Sequence, residues 1–300
     1  MDINKFTPTG KLAKKHLVSL AGYTEEDILE ILRRADAVSK SLSVGEKPSF
    51  LKNKKIALIT KGGMTRWRLA FENAVTSVSG EPVVCQMSGS EVESLIKDKF
   101  TLSAILSYGI HALVVQTSEI GDAEAMEKLV ELPVINGFGK FGPLEALSAL
   151  YTIWTKKGKL ENTKVAIVGN PNLTNDEFLN AFAICGFNIT FVCPDEFYPD
   201  ENLLNFCRQF GEVKVTSDLS EGIKLAEIIY TVDEGMPARF EITEEKLEDL
   251  PLSPLIIHPL PLVENGLIGE DIAEKPQFCG LDEAINLPLV EIAALSLIVK

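Results

Sequence analysis

The chain reads as an α/β protein built from two consecutive doubly wound parallel sheets. Three observations lead there. Short apolar runs of strand length alternate with helical patterns, and the alternation restarts after a polar stretch, Gly158-Lys-Leu-Glu-Asn-Thr163. With 46% hydrophobic and 24% charged residues over 300 positions, the composition suits a globular chain long enough for two cores. The polar stretch sets the expected boundary: residues 1–157 form one domain, with part of the C-terminal helix packing back on it, and residues 158–300 form the other.

In chain order, Tyr23-Thr-Glu-Glu-Asp-Ile-Leu-Glu-Ile-Leu-Arg-Arg-Ala35 places Ile28, Leu29, Ile31, Leu32 and Ala35 on one face. Thr24 stands as N-cap with acids in the first turn, so a helix is expected. Lys55–Thr60 is a buried strand, Gly62-Gly63 a turn, and a helix begins near Thr65. Pro82–Gln86 and Ala112–Gln116 are strands separated by one helical pattern over Leu95–Tyr108. Pro133–Gly137 is a strand and turn, and a long helix runs from about Pro143 to Lys157, with Pro143 suited to its first turn. The second series holds strands at Lys164–Gly169, Asn188–Cys193, Val213–Val215 and Ile228–Thr231, with helices at Asp176–Cys185 and around Leu203–Phe210. Ile256-Ile-His-Pro-Leu-Pro261 ends a last strand, and an apolar helix, Leu289–Val299, closes the chain. In such folds ligands sit at the carboxyl ends of the strands, here expected in the crevice between the domains.

Composition excludes several classes of function. No run of about 18 uncharged apolar residues occurs, so no transmembrane helix is expected. The first residues have no apolar core of a secretory signal. A net charge of −14 argues against an extended nucleic-acid surface. Cys85, Cys185, Cys193, Cys207 and Cys279 are scattered and lack a CxxC pair, which fits a reduced cytoplasmic setting better than disulfides or a zinc site.

Four segments carry candidate chemistry. Lys61-Gly-Gly-Met-Thr-Arg-Trp-Arg-Leu-Ala-Phe-Glu72 joins a strand, a Gly-rich turn and a helix N-terminus, an arrangement that favours an anion; Arg66 adds a fork for phosphate or carboxylate, while Arg68 and Glu72 are spaced to pair with each other. Val134–Leu147 contains a well-formed helix start, with Glu145 in the first turn. Gly169-Asn-Pro-Asn-Leu-Thr-Asn-Asp176 lacks the G-x-G-x-x-G spacing of a dinucleotide site. His258-Pro-Leu-Pro261 forces extended or turn backbone whose carbonyls can accept from a ligand amide. His16 and His111 have no acid or nucleophile partner in the pattern and read as structural.

Taken in order, these segments resemble the aspartate/ornithine carbamoyltransferase family over nearly the whole chain. The matching motifs are T-R-x-R-x-x-F-E at Thr65–Glu72, V-I-N-G-x-x-x-x-x-P at Val134–Pro143, K-V-A-I-V-G at Lys164–Gly169, H-P-L-P at His258–Pro261 and D-E-A-x-N at Asp282–Asn286. The last is of the ornithine type and H-P-L-P of the aspartate type. The resemblance implies two domains, one for carbamoyl phosphate and one for an amino acid. It also implies homotrimers whose active sites are shared between neighbouring chains, and no metal or organic cofactor.

The family reaction, attack of an amine on the carbamoyl carbon with phosphate leaving, runs on positioning and electrostatics. Carried over residue by residue, the family's S-T-R-T-R falls on Met64-Thr65-Arg66-Trp67-Arg68, so Thr65 and Arg66 keep their kind while Met64 and Trp67 replace hydroxyl donors. A second phosphate-binding arginine aligns with Gln116, and H-P-x-Q aligns with Gly142-Pro143-Leu144-Glu145. With His258 and Leu260 these residues make up the anion pocket that the resemblance implies. The neighbour-chain lysine corresponds to Lys97 or Lys99, and an arginine of ornithine-type members aligns with Leu287. In the second domain Asp176 and Glu177 replace an asparagine and a serine, and the amino-acid loop offers Asp233 and Arg239.

Of seven family side chains on carbamoyl phosphate, two remain in kind, so no catalytic residue is assigned. The expectation is a family scaffold whose ordinary carbamoyl transfer is weak or lost, a pseudoenzyme or regulatory paralogue assembling with itself or with an active relative. Its ligand would be a small anion or an amino acid. The alternative is an active family enzyme with an altered donor or amino-acid substrate; a third reading, an orthodox transferase, needs replacement donors from loops.

Overall fold

The computed structural model describes residues 2–117, 121–137, 142–173, 176–232, 236–262 and 266–299. The chain divides into two compact units: Thr7–Ser148 with Asn286–Lys300, and Met1–Phe6 with Ala149–Ile285.

The first unit opens with α1 (Glu25–Ser43), closed at its N-terminus by the expected Thr24, whose hydroxyl and the Asp27 carboxylate cap each other's backbone reciprocally. Glu30 of this helix, fully buried, accepts from the backbone N–H of Thr9 at 2.6 Å and of Gly10 at 2.8 Å. Four parallel strands follow: β1 (Lys55–Thr60), β2 (Glu81–Gln86), β3 (Ile110–Gln116) and β4 (Val134–Asn136), in the order β2-β1-β3-β4. β1 and β3 are buried almost throughout, as central strands of a covered parallel sheet must be, and so read as continuous apolar runs. The crossovers contain α2 (Thr65–Ser77), α3 (Gly89–Lys97), α4 (Lys99–Leu106) and α5 (Asp122–Glu127). Ile59, Val92, Leu113, Val115, Met126 and Val134 pack into one apolar cluster.

In this first unit two stretches differ from the expectation, and the second unit holds three short helices, Leu219–Ile223, Glu244–Glu248 and Glu270–Ala273, that the pattern does not announce. The single helical pattern over Leu95–Tyr108 is two helices, broken at Asp98. Its carboxylate accepts from the N–H groups of Phe100 and Thr101, both at 3.1 Å, which starts a new helix rather than continuing the old one. The short α5 also went unread.

α6 (Pro143–Lys157) runs from the first unit into the second. There β5 (Lys164–Gly169), β6 (Asn188–Val192), β7 (Val213–Thr216), β8 (Ile228–Val232) and β9 (Leu255–Ile257) form a parallel sheet in the order β7-β6-β5-β8-β9. α7 (Asp176–Ile184), α8 (Glu201–Arg208), α9 (Leu219–Ile223), α10 (Glu244–Glu248) and α11 (Glu270–Ala273) accompany it. Its core includes Ala166, Val168, Val192, Ile229, Phe240, Ile256 and Ile272.

α12 (Gly280–Ile298) closes the chain and starts nine residues before the expected Leu289. Pro288 lies inside it, and its first turns are amphipathic rather than apolar: Leu281 and Ile285 are exposed, while Asp282 pairs with Lys156 at 2.9 Å. Hydropathy alone therefore marked only its buried half. No helix among the described residues is long and apolar enough to cross a membrane.

Candidate functional site

The carboxyl edge of the first sheet is built from polar strand ends. Thr60 of β1 is in register with Gln86 of β2 and Gln116 of β3. Beyond Thr60 the chain turns through Gly62 and Gly63, the latter at φ +89°, and enters α2. Met64 holds the N-cap position with no side-chain hydrogen bond, so the positive end of α2 lacks the hydroxyl or carboxylate that usually closes it.

Arg66, in the first turn, points its guanidinium at a carboxylate of the protein itself. Its Nη2 lies 3.0 Å from Glu145 Oε1, and its guanidinium carbon is 4.4 Å from the centroid of the Trp67 ring. The Trp67 indole N–H donates to the same Glu145 oxygen. Two donors from α2 thus converge on one acceptor from the first turn of α6, beside Pro143 and the buried Gly142. Arg68 takes no part; it pairs with Glu72 at 2.7 Å on its own helix, as their spacing foretold.

Glu145 is only 2% exposed, against 30% for the Arg66 side chain. Its second oxygen, Oε2, is buried and finds no donor among the described residues. Beside it lies Glu291 of α12, also 2% exposed and also with Oε2 lacking a donor there. Burial pushes the Glu291 carboxyl well above the usual carboxylate range; the charge of Glu145 pushes the same way and Arg66 opposes both. Gln116 ends β3 with 1% exposure, and its Oε1 is a third buried acceptor without a donor among the described residues. Its side chain lies over Gly137, where an added Cβ would come within 2.8 Å of Gln116 Cγ.

Chemically, Arg66 is paired with the buried Glu145 carboxylate, and Glu291 is a second buried acid whose charged form burial disfavours. Arg66 and Trp67 both donate inward. Glu291 was missed in the sequence reading; its only signal was a single acid inside the apolar run Leu289-Val290-Glu291-Ile292-Ala293. Among the described residues no group of three or more His, Cys, Asp or Glu is placed to hold a metal ion.

Other sequence candidates fall as follows. Thr65 is exposed and Met64 half-buried. Lys97 pairs with Glu93, and Lys99 lies over the exposed Phe100 ring at 5.4 Å. Leu287 is buried. His258, in the other compact unit, is buried with Nδ1 2.7 Å from the Thr231 hydroxyl, and Leu260 beside it is half-buried. Arg239 is exposed and lies over Phe240. Glu177 is buried, whereas Asp233 and the Asp176 side chain lie outside the described residues. His16 Nδ1 accepts from Val134 N–H at 3.2 Å and His111 Nδ1 from Lys55 N–H at 3.1 Å, each tying a strand end. All five cysteines are free thiols, and burial pushes those of Cys193, Cys207 and Cys279 up to about 11.

Known proteins resemble this chain over both of its halves. A family model described as aspartate/ornithine carbamoyltransferase, carbamoyl-P binding domain, matches residues 15–155. A second, aspartate/ornithine carbamoyltransferase, Asp/Orn binding domain, matches residues 161–298. The chain is 26% identical over 308 residues to the anabolic ornithine carbamoyltransferase of Pyrococcus furiosus, covering 96% of this chain and 97% of that one. The ornithine carbamoyltransferase of Archaeoglobus fulgidus is 25% identical over 292 residues, covering 91% and 93%. Among solved structures, ornithine carbamoyltransferase from Pyrococcus furiosus superposes with a TM-score of 0.85 at 24% identity, covering 95% of this chain and 96% of that one. The catalytic subunit of M. jannaschii aspartate transcarbamoylase gives 0.82 at 24% identity, covering 95% and 98%. Both halves of the sequence are matched in family order, on two parallel sheets of the same architecture, and the chain belongs to the aspartate/ornithine carbamoyltransferase family.

Proposed function

We propose that this chain is a carbamoyltransferase-family protein in which transfer from carbamoyl phosphate to an amino acid is weak or lost, so that it serves as a non-catalytic or regulatory paralogue. The observation that carries the reading is the Glu145 carboxylate seated on Arg66 and Trp67. A phosphate leaving group carries about two negative charges near neutral pH, by analogy with phosphate esters. To use Arg66 it has to displace a buried carboxylate and then tolerate that carboxylate nearby.

The remaining family positions support the same conclusion. Gln116 stands for an arginine, Gly142 for a histidine, and Met64 and Trp67 for hydroxyls. One lost charged or oxyanion donor typically removes about 3 kcal/mol of transition-state stabilisation, so an arginine and the carbamoyl-polarising histidine together amount to roughly 10⁴ in rate. The retained scaffold suits a homotrimer or a mixed assembly with an active relative, with an amino-acid-binding half whose candidate residues are Asp176, Asp233 and Arg239.

Calorimetric titration with carbamoyl phosphate, beside a colorimetric assay for citrulline and carbamoyl-aspartate, tests the reading. Neither heat nor product is expected. Turnover at ordinary family rates with ornithine or aspartate refutes it. A second reading, an active family enzyme with an altered donor, is favoured by Glu145 Oε2, a buried acceptor beside Arg66 that meets no donor among the described residues and suits a ligand bearing N–H groups. Turnover of such a donor, abolished by Arg66→Ala, would separate it from the first.

A further inference from the structure

Parallel sheets are ordinarily covered on both faces, yet one face of the second sheet is covered only in part. Tyr230 packs with Phe178 and Phe182 on one side. On the other, α9 is only five residues long. Gly222 presses it onto the sheet: an added Cβ would come within 2.4 Å of Val192 Cγ2 and 3.0 Å of Thr216 Cγ2. α9 thus covers the carboxyl half of the strands, where Val168 and Val192 pack with Leu219 and Ile223. Side chains alternate along a strand, so Lys164 of β5, Asn188 and Thr190 of β6 and Lys214 of β7 share this face toward the amino ends. There they line a groove of about 540 Å³, together with Lys224 and the exposed Leu225 just past α9. That volume suits a small molecule.

The charge of the groove runs against that of the chain. Three lysines face two acids, Glu212 and Glu221, in a molecule of net charge −14. None of the three ammonium groups pairs with a carboxylate among the described residues. Glu221 accepts from the Thr216 hydroxyl at 3.2 Å, and the nearby Glu227 is taken by Lys157 at 2.8 Å and Lys159 at 3.4 Å. Thr190 is half-buried on an interior strand, and its hydroxyl also meets no partner among the described residues. A lysine on an outer strand such as β7 guards a sheet edge. Lys164 stands on the central strand and Lys224 on none, so edge protection does not account for them.

We propose that this groove binds an elongated small molecule with an anionic group, phosphate or carboxylate, at each end. Lys164 and Lys214 stand two strand spacings apart, about 10 Å. An anion at each end uses both ammonium groups without drawing the two positive charges together. Lysine holds either kind of anion as a point charge. The Thr190 hydroxyl donates between the two ends, and Leu225 lies against the body of the ligand. The groove is in the other compact unit from Arg66, at the amino rather than the carboxyl ends of the strands, and is independent of carbamoyl transfer.

The test is calorimetry and thermal denaturation of the whole chain with fructose bisphosphate and with suberate, beside inorganic phosphate and acetate at matched ionic strength. A two-ended probe should bind and raise the midpoint: the bisphosphate if the site takes phosphates, suberate if it takes carboxylates. The single anions should bind at least tenfold more weakly. The double variant Lys164→Gln/Lys214→Gln should lose at least tenfold in affinity, and Thr190→Val, which alters no charge, several-fold. Lys47→Gln/Lys52→Gln removes two exposed charges from the other compact unit and should leave the affinity unchanged. No binding of either two-ended probe at millimolar concentration, equal binding of the single anions, or equal loss in both double variants overturns the inference. Polyglutamate that binds where both small probes fail gives the groove to an acidic protein partner and overturns it as well.

Discussion

Replacing Glu145 by glutamine, the amide that the H-P-x-Q resemblance implies at this position, should switch on anion binding. The substitution keeps the shape of the side chain and removes one negative charge. In the native chain that charge lies 3.0 Å from Arg66, between side chains 2% and 30% exposed. At an effective dielectric constant of about 20–40, such a pair interacts by roughly 3–5 kcal/mol. The Gln amide oxygen still accepts from Arg66 and Trp67, and solvent screens the outer side of the guanidinium. About half of the interaction is therefore recovered as anion affinity, about 1.5–2.5 kcal/mol or roughly 10- to 60-fold. Calorimetry with inorganic phosphate and carbamoyl phosphate near neutral pH measures it directly. The gain should appear in the variant and not in the parent. If Glu145→Gln binds phosphate no better than the parent, the internal carboxylate is not what keeps anions out.

Three further outcomes follow from contacts elsewhere. Trp67→Phe keeps a ring beneath Arg66 but deletes the indole N–H bonded to a buried carboxylate, and should lower stability by about 1.5–3 kcal/mol in denaturant titration. Burial pushes the Glu227 carboxyl up, but Lys157 at 2.8 Å and Lys159 at 3.4 Å more than offset this and hold it below the usual range. The unfolded chain thus takes up its proton first as pH falls, so Glu227→Gln should cost about 1–2 kcal/mol at pH 7 and progressively less in acid, below the ordinary carboxylate value, read from thermal midpoints across pH. Glu291 has the opposite sign: the native state keeps a proton that the unfolded chain releases, so native stability is lost as pH rises above the ordinary carboxylate value, and Glu291→Gln should become relatively more stable toward pH 8.

Much of the fold was legible because its signals are local. Lys55–Thr60 and Lys164–Gly169 are apolar runs too short for helices, each followed by a turn, and both are central parallel strands. Thr24 and Asp27 carry a capping pair that needs no tertiary context. Asp98 was harder: one carboxylate caps a new helix inside an otherwise continuous pattern. At the candidate site, Arg66, Trp67 and Glu145 were named from position, but their mutual engagement was not, since residues 66 and 145 meet only through the fold. Glu291 was invisible for the same reason: a lone acid in an apolar helix reads as surface until packing buries it.

The stretch around Leu17 has a consequence for how this molecule behaves in a crowded solution. β4 is an outer strand of its sheet, yet Leu17 bridges to Ile135, accepting from Asn136 N–H and donating to the Val134 carbonyl, both at 2.9 Å. On the opposite rim, Pro82 removes a ladder donor from β2 and Glu81 adds a charge, both familiar guards against sheet-to-sheet association. Cutting the chain after residue 18 would strip one rim of its cover, leaving an open ladder to recruit other strands, and self-association into aggregates would be the first symptom.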